Sequence, residues 1–169
     1  VSSARNAGIA IAQGDYILCL DGDDYLQANS IDIIAQGLQD ADALMAPCII
    51  DNLTGTTSIE KLPMKTGIYT VDQLYSSCEV FPTAPQLIYK AGVIREYLLR
   101  FNSTIKSGEV YDFTVSFLEH ANKIAVIKDG FYHYVMRESS ATHLPNYAAD
   151  MSALSILDHF SKITASWAS

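Results

Sequence analysis

Apolar and polar residues alternate along the chain in blocks that predict a mixed α/β fold. Near the amino-terminal end, Ala4, Ala7 and Ile11 recur with helical spacing, and Gly14 follows as a terminator. The apolar run 16–20 comes next and is typical of a short buried strand. Because a helix leads straight into a strand, we expect helices packed on a sheet.

The middle of the chain continues this alternation. Ser30 is placed to cap a helix that contains several isoleucines. The apolar segment 43–50 predicts a buried strand, and Pro47 within it indicates an edge position or a bend. The composition of 51–55 predicts a turn or hairpin loop, whereas 56–65 has no clear pattern.

The second half of the chain predicts three more helices and a strand. Thr70 is a candidate cap for a helix that starts at the next residue. An apolar face over 113–121 predicts another helix, and 123–127 predicts a strand. The terminal segment 142–169 predicts a helix whose buried stripe would consist of Leu154, Leu157 and Phe160.

Three carboxylates lie in one turn, Asp21-Gly22-Asp23-Asp24, directly after the predicted strand 16–20. Ligands of open α/β sheets bind at the carboxyl ends of strands. Like charges so close together repel one another, and a divalent metal or donor groups would offset that repulsion. The alternative is a solvated acidic turn that caps the following helix.

The segments around this turn resemble a known family. Ala4-Arg5-Asn6-Ala7-Gly8-Ile9, Ala12-Gln13-Gly14-Asp15-Tyr16-Ile17 and Leu20-Asp21-Gly22-Asp23-Asp24 resemble, in order and spacing, the family 2 glycosyltransferases of the GT-A fold. The resemblance implies an α/β, GT-A-like mixed sheet flanked by helices. It also implies an Asp-x-Asp motif that holds Mn²⁺ or Mg²⁺ and the diphosphate of a nucleotide sugar.

The same resemblance implies roles for individual residues. Asp21 and Asp23 would hold the metal and ribose or phosphate oxygens of the donor, with Asp24 supporting them. Arg5 would contact the nucleotide or hold the acidic turn. For Arg5 the alternative is a structural salt bridge to one of the aspartates.

A candidate base lies farther along, in Gly108-Glu109-Val110-Tyr111-Asp112, where the family usually has Gly-Glu-Asp at the start of a helix. The second acid is replaced here by Val110, so only Glu109 matches. One carboxylate near the acceptor hydroxyl suffices for an inverting transfer. Glu109 is therefore the candidate base, and Asp112, at i+3, is the reserve. The alternative for Glu109 is an acid favoured only by the helix macrodipole.

The segment 131–140 resembles the family's Tyr-x-Tyr, Arg and Ser ending. In several relatives a loop of this kind closes over the donor diphosphate. Arg137 would neutralise phosphate charge, since Arg suits bidentate phosphate contacts. His133 is a candidate metal or phosphate ligand, and the alternative is a polar residue on an edge strand.

The resemblance begins in the middle of the family pattern, because Val1 already lies in the helix that carries the Ala-Arg-Asn signature. We expect 1–140 to be the later part of a GT-A domain that lacks its opening, nucleotide-binding strands, and 141–169 to be a helical extension. Such a piece would be inactive by itself and would expose a strand edge, which favours association.

Composition narrows the classes of protein that fit. The 169 residues are 49% hydrophobic and 18% charged, as in one globular domain. The net charge of −8 argues against nonspecific binding to nucleic acid. Cys19, Cys48 and Cys78 are odd in number and widely spaced, as expected for free thiols of a cytoplasmic protein. No segment predicts a signal peptide or a membrane span, although attachment to the inner face of the membrane stays open.

The resemblance therefore implies a glycosyltransferase of bacterial surface polysaccharide synthesis. It would take a nucleotide-sugar donor and a glycan, lipid-linked or other hydroxyl acceptor, and self-association stays open. Two other classes remain. One is a phosphatase of the haloacid dehalogenase type, with Asp21 as nucleophile, although Asp24-Tyr25 stands where Gly-Thr usually follows. The other is an inactive fragment or a binding module.

Overall fold

The fold is a mixed α/β arrangement, and the computed structural model describes residues 1–77 and 86–137. Its helices are α1 Ser2–Ile11, α2 Ser30–Leu38, α3 Val71–Ser77, α4 Ala91–Glu96 and α5 Glu109–Leu118. Its strands are β1 Tyr16–Leu18, β2 Tyr25–Leu26, β3 Ala43–Met45, β4 Cys48–Asp51, β5 Thr57–Ile59, β6 Gly67–Tyr69, β7 Leu87–Lys90, β8 Ile124–Val126 and β9 Tyr132–Val135.

The strands of the described residues form two mixed sheets. The larger sheet has the order β1-β7-β3-β8-β6, in which only β3 and β8 run parallel. The smaller sheet has the order β2-β9-β4-β5, in which only β9 and β4 run parallel. The turn between β1 and β2 therefore connects the two sheets, and this turn contains the three aspartates.

Aromatic side chains form the centre of the core between the larger sheet and α5. Tyr89 of β7 makes edge contacts with the rings of Phe113 and Phe117. Phe101 stacks on Phe113 with ring centroids 4.1 Å apart. The hydroxyl of Tyr89 is buried, and it is satisfied by Thr114 Oγ1 at 2.8 Å. This packing fixes α5, and with it the position of Glu109 at its first turn.

The prediction of a buried strand over 16–20 is wrong in two respects. The strand ends at Leu18, and all three of its residues are only half-buried, while Leu20 is exposed. Within the described residues, β1 pairs with β7 alone and lies at the end of the sheet. An apolar run cannot by itself distinguish an end strand from a central one.

The single strand predicted over 43–50 is two strands in different sheets. β3 is central in the larger sheet, and β4 is central in the smaller one. Pro47 lies between them, at the point where the chain passes from one sheet to the other. The bend expected from Pro47 is therefore confirmed, and the edge position is not. Pro has no backbone N–H for a ladder, which suits this crossing point.

The helix starts agree with their sequence signals to within one residue. Thr70 caps α3 reciprocally, because its Oγ1 accepts from Gln73 N while Gln73 Oε1 accepts from Thr70 N. Ser30 is the first helical residue of α2 rather than its cap, which is Asn29. The hairpin loop expected over 51–55 joins β4 to β5.

The helix predicted over 142–169, the boundary at residue 140 and Cys78 lie outside the described residues. Cys19 and Cys48 are free thiols, and burial raises the pKa of Cys48 to about 12. Within 1–77 and 86–137, no helix combines the length and the apolar character that crossing a membrane requires.

Candidate active site

The acidic turn lies where the two sheets meet. The amide of Asp24 donates to the carbonyl of Asp21 at 3.1 Å, which closes the turn. Tyr25 follows immediately as the first residue of β2. Because the chain enters from one sheet and leaves into the other, each end of the turn is held by different elements.

Arg5 holds the first end of the turn and links it to α5. Its Nη2 donates to Asp21 Oδ1 at 2.8 Å, and its Nη1 donates to Glu109 Oε1 at 2.9 Å. The guanidinium also lies over the ring of Phe101, 5.3 Å from the centroid. Burial acts to lower the pKa of Arg5, but the hydrogen bond with Asp21 and the nearby carboxylates outweigh it and raise that pKa.

This geometry bears on the two interpretations of Arg5. The salt bridge to an aspartate is present, and it extends to Glu109 as well. Arg5 and Glu109 are largely buried, whereas the side chain of Asp21 is 42% exposed. Asp21 therefore keeps access to solvent while its partner does not. A contact between Arg5 and a nucleotide stays a prediction.

The neighbouring Asn6 is a positioning residue that the sequence reasoning missed. Its Nδ2 donates to the carbonyl of Phe101, and its Oδ1 accepts from the amide of the same residue, both at 2.8 Å. These two bonds attach α1 to the loop before α5. Because Asn6 follows Arg5 in the Ala-Arg-Asn signature, the motif itself was the available signal.

The packed side of α1 is not the one that the alanine spacing suggested. Ala4, Ala7 and Ile11 are exposed, and the residues turned inward are Ser2, Arg5, Asn6 and Ile9. These four have the i, i+3, i+4, i+7 spacing of one helix face. Polar groups can occupy that face because they are hydrogen-bonded to the turn and to the loop at Phe101.

Tyr132 and Asp24 hold the second end of the turn. The hydroxyl of Tyr132 donates to Asp24 Oδ2 at 2.6 Å and accepts from the amide of Asp21 at 3.1 Å. Asp24 Oδ1 accepts from the amide of Val135 at 2.9 Å. Burial and the bond with Asp24 raise the pKa of Tyr132. Sequence reasoning missed Tyr132, although the Tyr-x-Tyr ending was its signal.

Asp23 and Arg137 face each other across the open side of the turn. Arg137 Nε lies 3.7 Å from Asp23 Oδ2, and both side chains are 54% exposed. An ion pair this long and this exposed contributes little stability. A charged ligand can therefore replace Arg137 as the partner of Asp23, or Asp23 as the partner of Arg137.

His133 is engaged on the other face of the smaller sheet. Its ring stacks on Tyr25 with centroids 4.3 Å apart, and Nδ1 lies 3.1 Å from Asp51 Oδ2. The hydrogen bond from Tyr25 lowers the pKa of Asp51 against the opposing effect of burial, and His133 adds to the lowering. The edge-strand interpretation of His133 is wrong, because β9 lies between β2 and β4. A role for His133 as a ligand stays a prediction.

The candidate base occupies the first turn of α5. Gly108 precedes it with φ 84°, a left-handed conformation that favours glycine. Val110 packs against the core, in the place where the family has its second acid. Glu109 borders a cleft of about 210 Å³, which Ser3, Ser103 and Lys106 also line. Asp112 is half-buried one turn farther on.

A second, larger cavity lies beside the turn. This groove of about 620 Å³ runs between α1 and the edge of β1, and it ends at Asp21 and Gly22. Arg5 lines it as well. The volume lies in the range of small-molecule sites. The groove therefore adjoins Asp21, and the cleft adjoins Glu109. Arg5 contacts both of these carboxylates and so connects the two cavities.

The residues of the turn fit a metal ion that is coordinated partly by the protein and partly by a substrate. Across residues 1–77 and 86–137, no cluster of three or more His, Cys, Asp or Glu side chains could hold a metal. The turn has two carboxylates accessible to solvent, those of Asp21 and Asp23. Mg²⁺ is commonly bound by one or two carboxylates together with substrate phosphates and water. Metal binding itself stays a prediction.

Known proteins with similar sequences include bacterial glycosyltransferases. The chain is 30% identical over 135 residues to a poly(ribitol-phosphate) beta-glucosyltransferase of Bacillus spizizenii, covering 79% of this chain and 21% of that protein. It is 24% identical over 157 residues to the uncharacterized glycosyltransferase EpsJ of Bacillus subtilis, covering 86% and 44%. The chain thus spans less than half the length of these relatives.

The fold and the family follow from two further comparisons. S. aureus TarS in complex with UDP-GlcNAc superposes with a TM-score of 0.74 at 21% identity, over 92% of this chain and 45% of TarS. This likeness confirms the GT-A-like fold. The profile of glycosyl transferase family 2 matches residues 1–98, which is more than half of the 169 residues. The chain therefore belongs to glycosyl transferase family 2.

Proposed function

We propose that the protein transfers a sugar from a nucleoside-diphosphate donor to a hydroxyl of a glycan or related acceptor, with inversion, in the synthesis of a bacterial surface polysaccharide. One observation carries this proposal. A single guanidinium, that of Arg5, contacts both Asp21 of the acidic turn and Glu109 at the start of α5. A carboxylate suited to a metal–diphosphate and one suited to a base are therefore neighbours.

On the donor side, Asp21 and Asp23 would hold Mn²⁺ or Mg²⁺, and Arg137 would contact the diphosphate. The metal, when bound, offsets the charge that develops on the departing diphosphate. Asp23 and Arg137 now neutralise each other at 3.7 Å. Binding of a metal–diphosphate would give each of them a partner of opposite charge in place of the other. Because the contact between Asp23 and Arg137 is weak, this exchange requires little free energy.

On the acceptor side, Glu109 would remove the proton of the attacking hydroxyl. The oxygen forms a bond to the anomeric carbon as the bond to the diphosphate breaks, and attack from the opposite face inverts that carbon. The cleft beside Glu109 is where a hydroxyl could approach, because its serines and Lys106 are polar. Arg5 would hold Glu109 in place, and Asp112 is the reserve base.

The partners and the location are part of the same proposal. The relatives named above act on poly(ribitol-phosphate) or are glycosyltransferases by name, and most of their length lies outside the region matched here. We propose a glycan or lipid-linked acceptor, a cytoplasmic location with attachment at the membrane periphery, and no nucleic-acid partner. Self-association at the edge of β1, which is unpaired within the described residues, belongs to this proposal as well.

Calorimetry of the intact protein with UDP and Mn²⁺ tests the donor side. Mn²⁺ alone is expected to bind weakly, and UDP is expected to bind more tightly in its presence. A protein that binds UDP equally well with and without Mn²⁺ would contradict the metal assignment. Absence of UDP binding altogether would favour the alternative of an inactive fragment. The family and the fold do not support the phosphatase alternative. No acyl-phosphate on Asp21 is therefore expected.

A further inference from the structure

We propose that Tyr132 is a positioning residue of the donor site, which acts by holding both ends of the acidic turn through a single hydroxyl. This inference rests on the proposed function, because it concerns the carboxylates that would receive the metal and the diphosphate. It assigns a role to a side chain on β9 that lies more than 100 residues away from the turn in sequence.

The phenol of Tyr132 is in the position that such a role requires. The residue is 1% exposed, so its hydroxyl depends on the protein for partners. It donates to Asp24 Oδ2 and accepts from the amide of Asp21, and these two residues begin and end the turn. One oxygen atom therefore bonds to both ends of the turn, in addition to the backbone hydrogen bond from the amide of Asp24 to the carbonyl of Asp21.

Asp24 completes the attachment and differs from the other two aspartates of the turn. Both of its oxygens accept hydrogen bonds from the protein, one from Tyr132 and one from the amide of Val135. Asp21 and Asp23 instead use single oxygens in contacts with arginines. The turn thus has one carboxylate that faces the scaffold and two that face outward. The hydrogen bond that the Tyr132 hydroxyl donates to Asp24 also lessens the repulsion among the three carboxylates.

The same bonds align the turn with the end of β9. Val135 lies two residues before Arg137, and its amide is bound to Asp24. Asp23 lies one residue before Asp24 and faces Arg137. Fixing Asp24 against Val135 therefore brings the neighbouring Asp23 close to Arg137. In the proposed donor complex, this alignment would set the spacing between the metal-binding carboxylate and the phosphate-binding guanidinium.

The test compares two Tyr→Phe substitutions in the full chain. Tyr132→Phe removes the hydroxyl at the turn and leaves the ring in the core. Tyr89→Phe is a matched control, because Tyr89 is also fully buried and its hydroxyl bonds Thr114 of α5 instead of a residue of the turn. Both variants lose a buried hydrogen bond, so both are expected to melt at a somewhat lower temperature.

Two measurements separate positioning from general stability. The first is hydrogen exchange over residues 20–25 without ligand, where Tyr132→Phe is expected to exchange faster at the amide of Asp21 and Tyr89→Phe is not. The second is calorimetry of UDP with Mn²⁺. Tyr132→Phe is expected to weaken Mn²⁺-dependent UDP binding about tenfold, the scale of one lost hydrogen bond to a charged group. Tyr89→Phe is expected to leave it unchanged.

Equal effects of the two substitutions on UDP binding, or unchanged exchange at Asp21 in Tyr132→Phe, would overturn the inference. If Tyr132→Phe does not fold, Asp24→Ala serves in its place, since it removes both acceptors, and faster exchange at the amide of Val135 is expected. If the unsubstituted chain shows no Mn²⁺-dependent UDP binding, the proposed function and the donor-site role fail together. The exchange measurement would still decide whether Tyr132 holds the turn.

Discussion

The two ends of the acidic turn are held in contrasting ways. At the first end, Arg5 forms charged contacts with Asp21 and Glu109, and Asp21 remains accessible to solvent. At the second end, the buried hydroxyl of Tyr132 and the amide of Val135 saturate Asp24. The accessible carboxylate of Asp21 can take up a ligand from solvent, whereas breaking the buried hydrogen bonds of Asp24 leaves groups unsatisfied.

The contrast explains how one short turn can be both rigid and reactive. Its attachment to the scaffold uses Asp24, and its outward chemistry uses Asp21 and Asp23. Substitutions of the outward carboxylates Asp21 and Asp23 should therefore change activity and ligand binding more than stability. Substitutions at the second end should change both.

The largest effect is expected at Glu109. Glu109→Gln keeps the shape of the side chain and an oxygen for Arg5, but it cannot take up a proton. Turnover of the full protein should fall by about 10²-fold or more while UDP binding stays nearly intact. Asp112→Asn should reduce turnover less. If Asp112→Asn had the larger effect, Asp112 would be the base and Glu109 would serve to orient Arg5.

The next largest effect is expected from comparing two aspartates one residue apart. Asp23→Asn should abolish the synergy between Mn²⁺ and UDP in calorimetry. The affinity for UDP in the presence of Mn²⁺ should fall at least ~10-fold, which is the loss that removal of an outer-shell partner brings. Its melting temperature should hardly change, since its contact with Arg137 is long and exposed. Asp24→Asn should lower the melting temperature clearly. Similar melting temperatures for the two variants would remove the contrast between the outward carboxylates and the one bound to the scaffold.

A smaller effect is expected for Arg5→Lys. An ammonium cannot reproduce the two-nitrogen fork that reaches Asp21 and Glu109 at once. The free energy of unfolding should fall by about 1–3 kcal/mol, measured by urea denaturation. Arg100→Lys is the control, because Arg100 is exposed and its guanidinium bonds the carbonyl of Leu99 next to it. Equal losses in the two variants would mean that Arg5 does not organise the site.

The smallest effect is expected at Asp42, a carboxylate of the scaffold. Burial acts to raise the pKa of Asp42, but hydrogen bonds from the amides of Asn122 and Lys123 and from Lys90 outweigh it and lower the pKa. A lowered pKa contributes stability above the unfolded value near 4, and this contribution is lost as the pH falls below it.

Asp42→Asn should therefore lower the free energy of unfolding by about 1 kcal/mol at pH 7 and by less at pH 3. Urea denaturation at the two pH values measures the difference. A loss that is the same at both would mean that the charge of Asp42 plays no part. Asp40→Asn is the control, because Asp40 is an exposed acid on the same loop.

Local patterns predicted most of the elements of this fold. The Thr70 cap, the hairpin at 51–55 and the bend at Pro47 all depend on residues close in sequence. Short-range hydrogen bonds and backbone preferences determine such features, so they can be recognised without knowledge of the rest of the molecule. The family motif likewise identified the acidic turn and the candidate base before their positions were known.

The tertiary structure alone decided which groups meet at the turn. Arg5 and Glu109 are 104 residues apart in sequence, and Asp24 and Tyr132 are 108 apart. No local pattern distinguishes Asp24, which is bound to the scaffold, from Asp23, which faces outward. The sequence by itself determined that three carboxylates would lie in one turn, because they are adjacent in the chain. Packing of β9 and α5 around the turn decided the role available to each, since hydrogen-bond partners depend on distance in space.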